Sequence, residues 1–228
     1  MDGRDFEVNK EEVLRYLGYR GQEIDCSLHS LIDELRKEIR ELSKIRFIYK
    51  EYNIKQSDGV IELENSSISL AGHSITAHLQ NSKTAIVMAA TLGNNVDLRI
   101  RYYEKIDMQK ALILDACATT LIEEVCDAVE KTIRDKVASR GNLNYRYSPG
   151  YGDLTLDCQR GIVTSLETPK YLGLNLNSHN ILIPRKSVTA ILGWVSDEKP
   201  VETKRGCEYC RLKDSCNFRK GGKSCGNK

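Results

Sequence analysis

TAIVMAATL, residues 84–92, is the stretch from which the fold can be read. It runs for nine residues without a charge and is ended by Gly93-Asn94. That is far short of the roughly 20 residues a membrane span needs, and it suits a buried strand. Upstream, 45–54 alternates loosely as a second strand. GVIELENSSISLAG (59–72) reads as two short strands about an Asn-Ser turn. Before these, Leu28, Leu31, Ile32, Leu35, Ile39 and Leu42 fall at helical spacing, with Asp25 or Ser27 placed to cap. A short helix is expected over Glu11–Tyr19, ended by Gly18 or Gly21, and another over His73–Gln80. Downstream, a helix is expected from Asn95 to Glu104. The longest one then runs from Asp107 to Val137, with Ala111, Ala118, Ile122, Val125, Val129 and Ile133 on one face. A further helix over 156–166 and closing strands at 181–183 and 187–195, separated by Pro184, complete the pattern. Strands and helices interleave without a strict βαβ rhythm. The expectation is an α+β fold with a mixed or mostly antiparallel sheet and long packed helices.

The 228 residues suit one large domain over residues 1–200 with a small Cys-rich tail over 201–228. A chain of this length buries roughly 70–75% of its unfolded surface, so the core needs no staples. The net charge of +2 conceals an asymmetry. Residues 1–200 carry 26 Lys/Arg against 29 Asp/Glu, whereas 201–228 carry 8 against 3. With no basic start leading into an apolar stretch, a cytoplasmic location is expected, and no membrane partner.

RYSPGYGD (146–153) is the segment richest in chemistry. Pro-Gly fits the two central positions of a type II turn, because Pro presets φ and Gly accepts a positive one. Such a turn points backbone groups outward, Tyr147 and Tyr151 can cover a flat ring, and Arg146 offers a fork for a carboxylate. The same residues also fit a plain loop whose tyrosines pack on the core and whose arginine is solvated. Asp115 falls on the apolar face of the long helix, where a carboxylate needs partners, and a structural role in bonding neighbouring backbone is expected. His29, His73, His78 and His179 form no ligand motif.

RYSPGYGD, followed by a helix and then ILIPRKSVTAILGW (181–194), resembles the activation domain of vitamin B12-dependent methionine synthase. The opening RYLGYRGQEID (15–25) is similar to that of free-standing bacterial members of the family. The resemblance implies a shallow groove for S-adenosylmethionine and a role in reductive methylation. The inactive cob(II)alamin form of the enzyme is reduced and then trapped by the methyl group. It further implies that Arg146 contacts the ligand carboxylate, and that Ser148 and Tyr151 contact the ligand from the same loop. Ala116, Ala118, Leu121 and Glu123 match an A-x-A-x-x-L-x-E pattern whose glutamate would pair with the amino group. Glu123 also fits a solvated helix carboxylate beside Glu124, Asp127 and Glu130. The chain lacks the D-x-H-x-x-G pattern of a corrinoid-binding domain. Cobalamin is therefore expected only through a partner, a corrinoid-bound methionine synthase without its own activation domain, together with an electron donor. On this view the chain is one component of a methyltransferase system for methionine biosynthesis.

Of eight cysteines, Cys26, Cys117, Cys126 and Cys158 are scattered, and three of those four positions read as small buried hydrophobes within or beside helices. Cys207, Cys210, Cys216 and Cys225 crowd the end of the chain. Their spacing suits a zinc clip or an iron–sulfur cluster, with a reduced metal-free tail as the remaining alternative. The resemblance adds that free-standing relatives share a C-x-x-C…C-x-x-R ending. Two other functions stay open at this point. One is an iron–sulfur redox or reactivase protein for another corrinoid methyltransferase. The other, disfavoured because Tyr209 and Phe218 make a poor stacking platform, is a zinc-ribbon nucleic-acid binder.

Overall fold

The computed structural model describes residues 1–57, 59–138 and 141–195. The tail cysteines Cys207, Cys210, Cys216 and Cys225 lie outside the described residues.

Residues 84–91 form β4 (Thr84–Thr91), the strand about which the sheet is built. Its neighbours are β1 (Arg46–Ser57) and β8 (Ser187–Val195), both antiparallel, with Met88 opposite Tyr49 and Ala190. The sheet continues outward through β2 (Val60–Leu63) and β3 (Ser69–Ala71) on one side and β5 (Asn142–Leu143) on the other. The order is β3-β2-β1-β4-β8-β5. A two-stranded ribbon, β6 (Asn175–Leu176) with β7 (Leu182–Ile183), stands apart. The expected α+β fold with an antiparallel sheet is the one observed.

A continuous apolar run in a strand usually marks a parallel sheet covered on both faces. Here the strands are antiparallel, yet both faces are covered. Ile86, Met88 and Ala90 pack in one core with α1 (Lys10–Tyr16), α2 (Cys26–Leu42), α4 (Asn94–Ile106) and α5 (Met108–Val137). Ala85, Val87 and Ala89 pack in a second core with α3 (His73–Leu79), α6 (Gln159–Leu166) and α7 (Thr168–Leu172). Three layers result, with the sheet in the middle. Fully burying side chains such as Ile86, Val87 and Met88 is worth about 1.5–3 kcal/mol each, on both sides at once.

The helix expected over 11–19 ends earlier, at Tyr16, because Gly18 turns into positive φ and the Tyr19 N–H bonds back to the Leu14 carbonyl at 2.9 Å. Asp25, not Ser27, is the cap of α2 and accepts from the Leu28 N–H at 2.7 Å. The helix expected over 156–166 is a 3₁₀ turn (Leu156–Cys158) running into α6, and α7 was not foreseen. Glu167 in the left-handed region breaks the chain between the two helices, and Pro169 starts the next. Cys117, Cys126 and Cys158 are buried, while Cys26 is exposed at the start of α2.

Asp115 corrects a sequence expectation. It is not buried on the apolar face of α5. Its carboxylate is half-exposed and pairs with Lys186 at 2.9 Å, and the same ammonium donates to the Thr119 hydroxyl at 2.8 Å. The segment before β8 crosses the helix there, a contact 71 residues away in the chain that helical spacing alone does not reveal.

Gly161 lies inside α6, where replacing glycine by alanine ordinarily stabilises by about 1 kcal/mol. Here a Cβ would run into the Ser67 carbonyl oxygen and sit 3.1 Å from the Ile68 Cα. Gly161→Ala is therefore expected to lower the thermal unfolding temperature. A gain would show that α6 does not press on the β2–β3 turn.

Candidate functional site

The segment 144–154 leaves β5 and crosses to α3. Asn144 anchors it to β8: its side-chain Oδ1 accepts from the Gly193 N–H at 2.6 Å and its side-chain Nδ2 donates to the His78 backbone carbonyl at 2.8 Å. Tyr147 and Ile191 then exchange a reciprocal pair of backbone hydrogen bonds, both 2.9 Å. In extended backbone, successive side chains point to opposite faces. Tyr145 and Tyr147 accordingly share one face and flank His78, with ring centroids 4.5 and 5.2 Å from it. Arg146 points the other way, onto α5.

At the turn, Gly150 has φ +91° and the Tyr151 N–H reaches the Ser148 carbonyl at 3.2 Å, as a type II turn requires. The Tyr147 hydroxyl donates to the Tyr151 carbonyl at 3.2 Å, and Tyr151 as a residue is 69% exposed. Gly152 permits a close approach: a Cβ there would strike the Tyr147 hydroxyl and come 2.9 Å from the Ser74 hydroxyl. Asp153 closes the segment. Its carboxylate accepts from the backbone N–H of His73 at 2.8 Å and of Ser74 at 3.0 Å, capping α3, whose own cap residue, Gly72, has no side chain.

Arg146 is largely buried against a row of carboxylates on α5. Its Nη1 lies 2.8 Å from Asp127 and 3.1 Å from Glu130, and its Nη2 lies 3.4 Å from Glu123. Burial works against the charge, but Cys126, Asp127 and Glu130 outweigh it, and the guanidinium pKa is raised. The Cys126 thiol beneath is pushed up to about 12 by burial. Of the sequence-predicted residues, Arg146 and Glu123 are therefore brought together, and Ser148 and Tyr151 share the adjoining turn. Asp127 and Glu130 fitted only as solvated helix carboxylates in the sequence, and Arg134 carried no expectation. Their signal was spacing: 123, 127, 130 and 134 recur at four, three and four residues, a charged stripe along one side of the helix. Among the described residues no three His, Cys, Asp or Glu side chains are arranged to hold a metal ion, and no helix is long and apolar enough to cross a membrane.

No protein-family model matches the chain, and no curated protein sequence matches it. Its fold is similar to a crystal structure of the MetH reactivation domain bound to AdoHcy, with a TM-score of 0.63. The two share 13% sequence identity, and the match covers 97% of this chain and 79% of that one. At this identity the likeness is one of fold.

The Asp153 carboxyl is drawn down from 3.8 to about 2, first by the side-chain hydrogen bond from Ser74 and then by the backbone N–H groups it caps. A folded-state pKa below the unfolded one contributes stability that is present above the unfolded value and lost as pH falls through the folded value. Asp153→Ala is therefore expected to lower the unfolding temperature at pH 7. The gap from wild type should close as pH falls from about 4 to about 2. A gap that persists unchanged at pH 2 would place the effect elsewhere.

Proposed function

We propose that the chain binds S-adenosylmethionine beside the Ser148–Tyr151 turn and supports reductive methylation of a B12-dependent methionine synthase. The observation that carries this reading is the Arg146–Glu123 pair, 3.4 Å apart at the edge of that turn, on a fold similar to a reactivation domain bound to AdoHcy. An amino acid's zwitterion needs one group of each sign. Inserted at this pair, its carboxylate would meet Arg146 and its ammonium Glu123, replacing one long contact by two. The exposed Tyr151 ring supplies a flat apolar face for the adenosine, and Ser148 a hydroxyl. When bound, S-adenosylmethionine supplies an electrophilic methyl group. The protein's part is to hold and orient the donor, and positioning of this kind needs no acid or base from the chain.

The acceptor in this proposal is a corrinoid on a partner methionine synthase lacking such a domain, with a separate electron donor. The four tail cysteines are proposed to bind one zinc ion or iron–sulfur cluster. Cys207→Ser with Cys210→Ser should then abolish metal, measured by elemental analysis and absorbance, while the unfolding transition of the protein persists.

Calorimetric titration with S-adenosylmethionine tests the ligand. Arg146→Ala removes a charge-assisted hydrogen bond and should cost about 1.5–3 kcal/mol, or roughly 10- to 100-fold in affinity. Equal affinities would remove Arg146 from the site, and no binding to wild type at millimolar ligand would end the assignment.

A further inference from the structure

Glu130 is buried, and each of its carboxylate oxygens serves a different guanidinium. Oε1 accepts from Arg134 Nε at 3.1 Å and Nη2 at 2.6 Å, while Oε2 lies 3.1 Å from Arg146 Nη1. Arg134 in turn donates to the backbone carbonyls of Leu143 at 2.6 Å and Asn144 at 2.8 Å. One carboxylate thus holds the tip of Arg146 and, through Arg134, the backbone two and three residues before it. The reciprocal bond between Tyr147 and Ile191 fixes the backbone on the other side.

The consequence is an asymmetric guanidinium. Asp127 and Glu130 flank its buried Nη1 at ion-pair distance without hydrogen-bond geometry, whereas its Nη2 makes, among the described residues, a long hydrogen bond of 3.4 Å to the half-exposed Glu123. A buried carboxylate between two cations loses much of its attraction to desolvation, so the arrangement is a weak source of stability. What it does supply is a fixed direction for the second edge of Arg146.

We infer that Glu130 is a positioning residue: it clamps the Nη1 edge of Arg146 so that the Nη2 edge faces the ligand's carboxylate. This role rests on the S-adenosylmethionine reading and deepens it. Glu130 touches no ligand and acts through Arg146. It should therefore matter for a ligand that carries the amino-acid group and not for one that lacks it.

The test uses the full chain and two probes, S-adenosylmethionine and 5′-methylthioadenosine, which keeps the nucleoside and the sulfur but has no carboxylate. Glu130→Gln removes the buried ion-pair partner of Nη1 and is expected to weaken S-adenosylmethionine about tenfold and to leave methylthioadenosine unchanged. Glu130→Asp, which keeps the charge and withdraws it by one methylene, should fall in between and carries the same comparison if the Gln variant does not fold. In the Arg146→Ala background, Glu130→Gln should have no further effect, because the two act through one interaction. Equal losses for both probes, or a loss that adds to that of Arg146→Ala, would overturn the positioning role in favour of general packing. Wild-type affinity for S-adenosylmethionine in the Gln variant would overturn it outright. A wild-type protein that binds methylthioadenosine but shows no preference for S-adenosylmethionine overturns the positioning role and leaves a nucleoside site. Binding of neither compound overturns the ligand reading together with it.

Discussion

β4 has no solvent face, and that constraint governs the rest of the molecule. Every residue from Ala85 to Thr91 is buried, so each face of the strand needs its own apolar cover. One cover comes from α1, α2, α4 and α5, the other from α3, α6, α7 and the β2–β3 hairpin. Neither cover is contiguous in the chain. The polypeptide must cross the edge of the sheet repeatedly, and the segment 144–154 is one such crossing. It leaves the α5 side, runs along β8 through Asn144 and Tyr147, and arrives at α3. The candidate site thus sits where the two layers meet at the sheet edge, with Arg146 facing one layer and Tyr147 the other.

The electrostatics of the site follow from that position. A guanidinium placed where two apolar layers meet is poorly hydrated and must be answered by protein groups. α5 answers it with Glu123, Asp127 and Glu130, which trade places from half-exposed to buried across two turns of helix. The exposed end of that row is the exchangeable one, since a water-accessible pair can be swapped for ligand groups at little desolvation cost. The buried end is the fixed one, since removing one partner from a desolvated pair leaves the other stranded.

Much of the fold was legible because it rests on local periodicity. The apolar spacing of Ala111 to Ile133 and the uncharged run at 84–92 each specify an element without outside help. What was not legible depends on contacts distant in the chain. Asp115 looked buried because its own helix places it between alanines, and only the crossing of Lys186 shows that this side is open. α7 was missed because Glu167 adopts a left-handed conformation that its side chain does not advertise. In the site, the Pro149-Gly150 turn could be read from residue types, whereas the burial of Arg146 against the α5 carboxylates could not, because its residue type fits a ligand fork or a solvated side chain equally well. The bridging by Glu130 could not, because Glu123, Glu124, Asp127 and Glu130 look alike as sequence and differ in which of them the loop covers.

The cap that Asp153 places on α3 ties together two segments 79 residues apart. If the loop lifts away, the first N–H groups of α3 lose their acceptor and that helix frays with it. The two segments therefore form one opening unit, although neither is long enough to be a unit alone. Amide hydrogen exchange in α3 becomes a remote gauge of the loop: anything that holds Ser148 to Tyr151 still slows exchange at His73 and Ser74, without touching either residue.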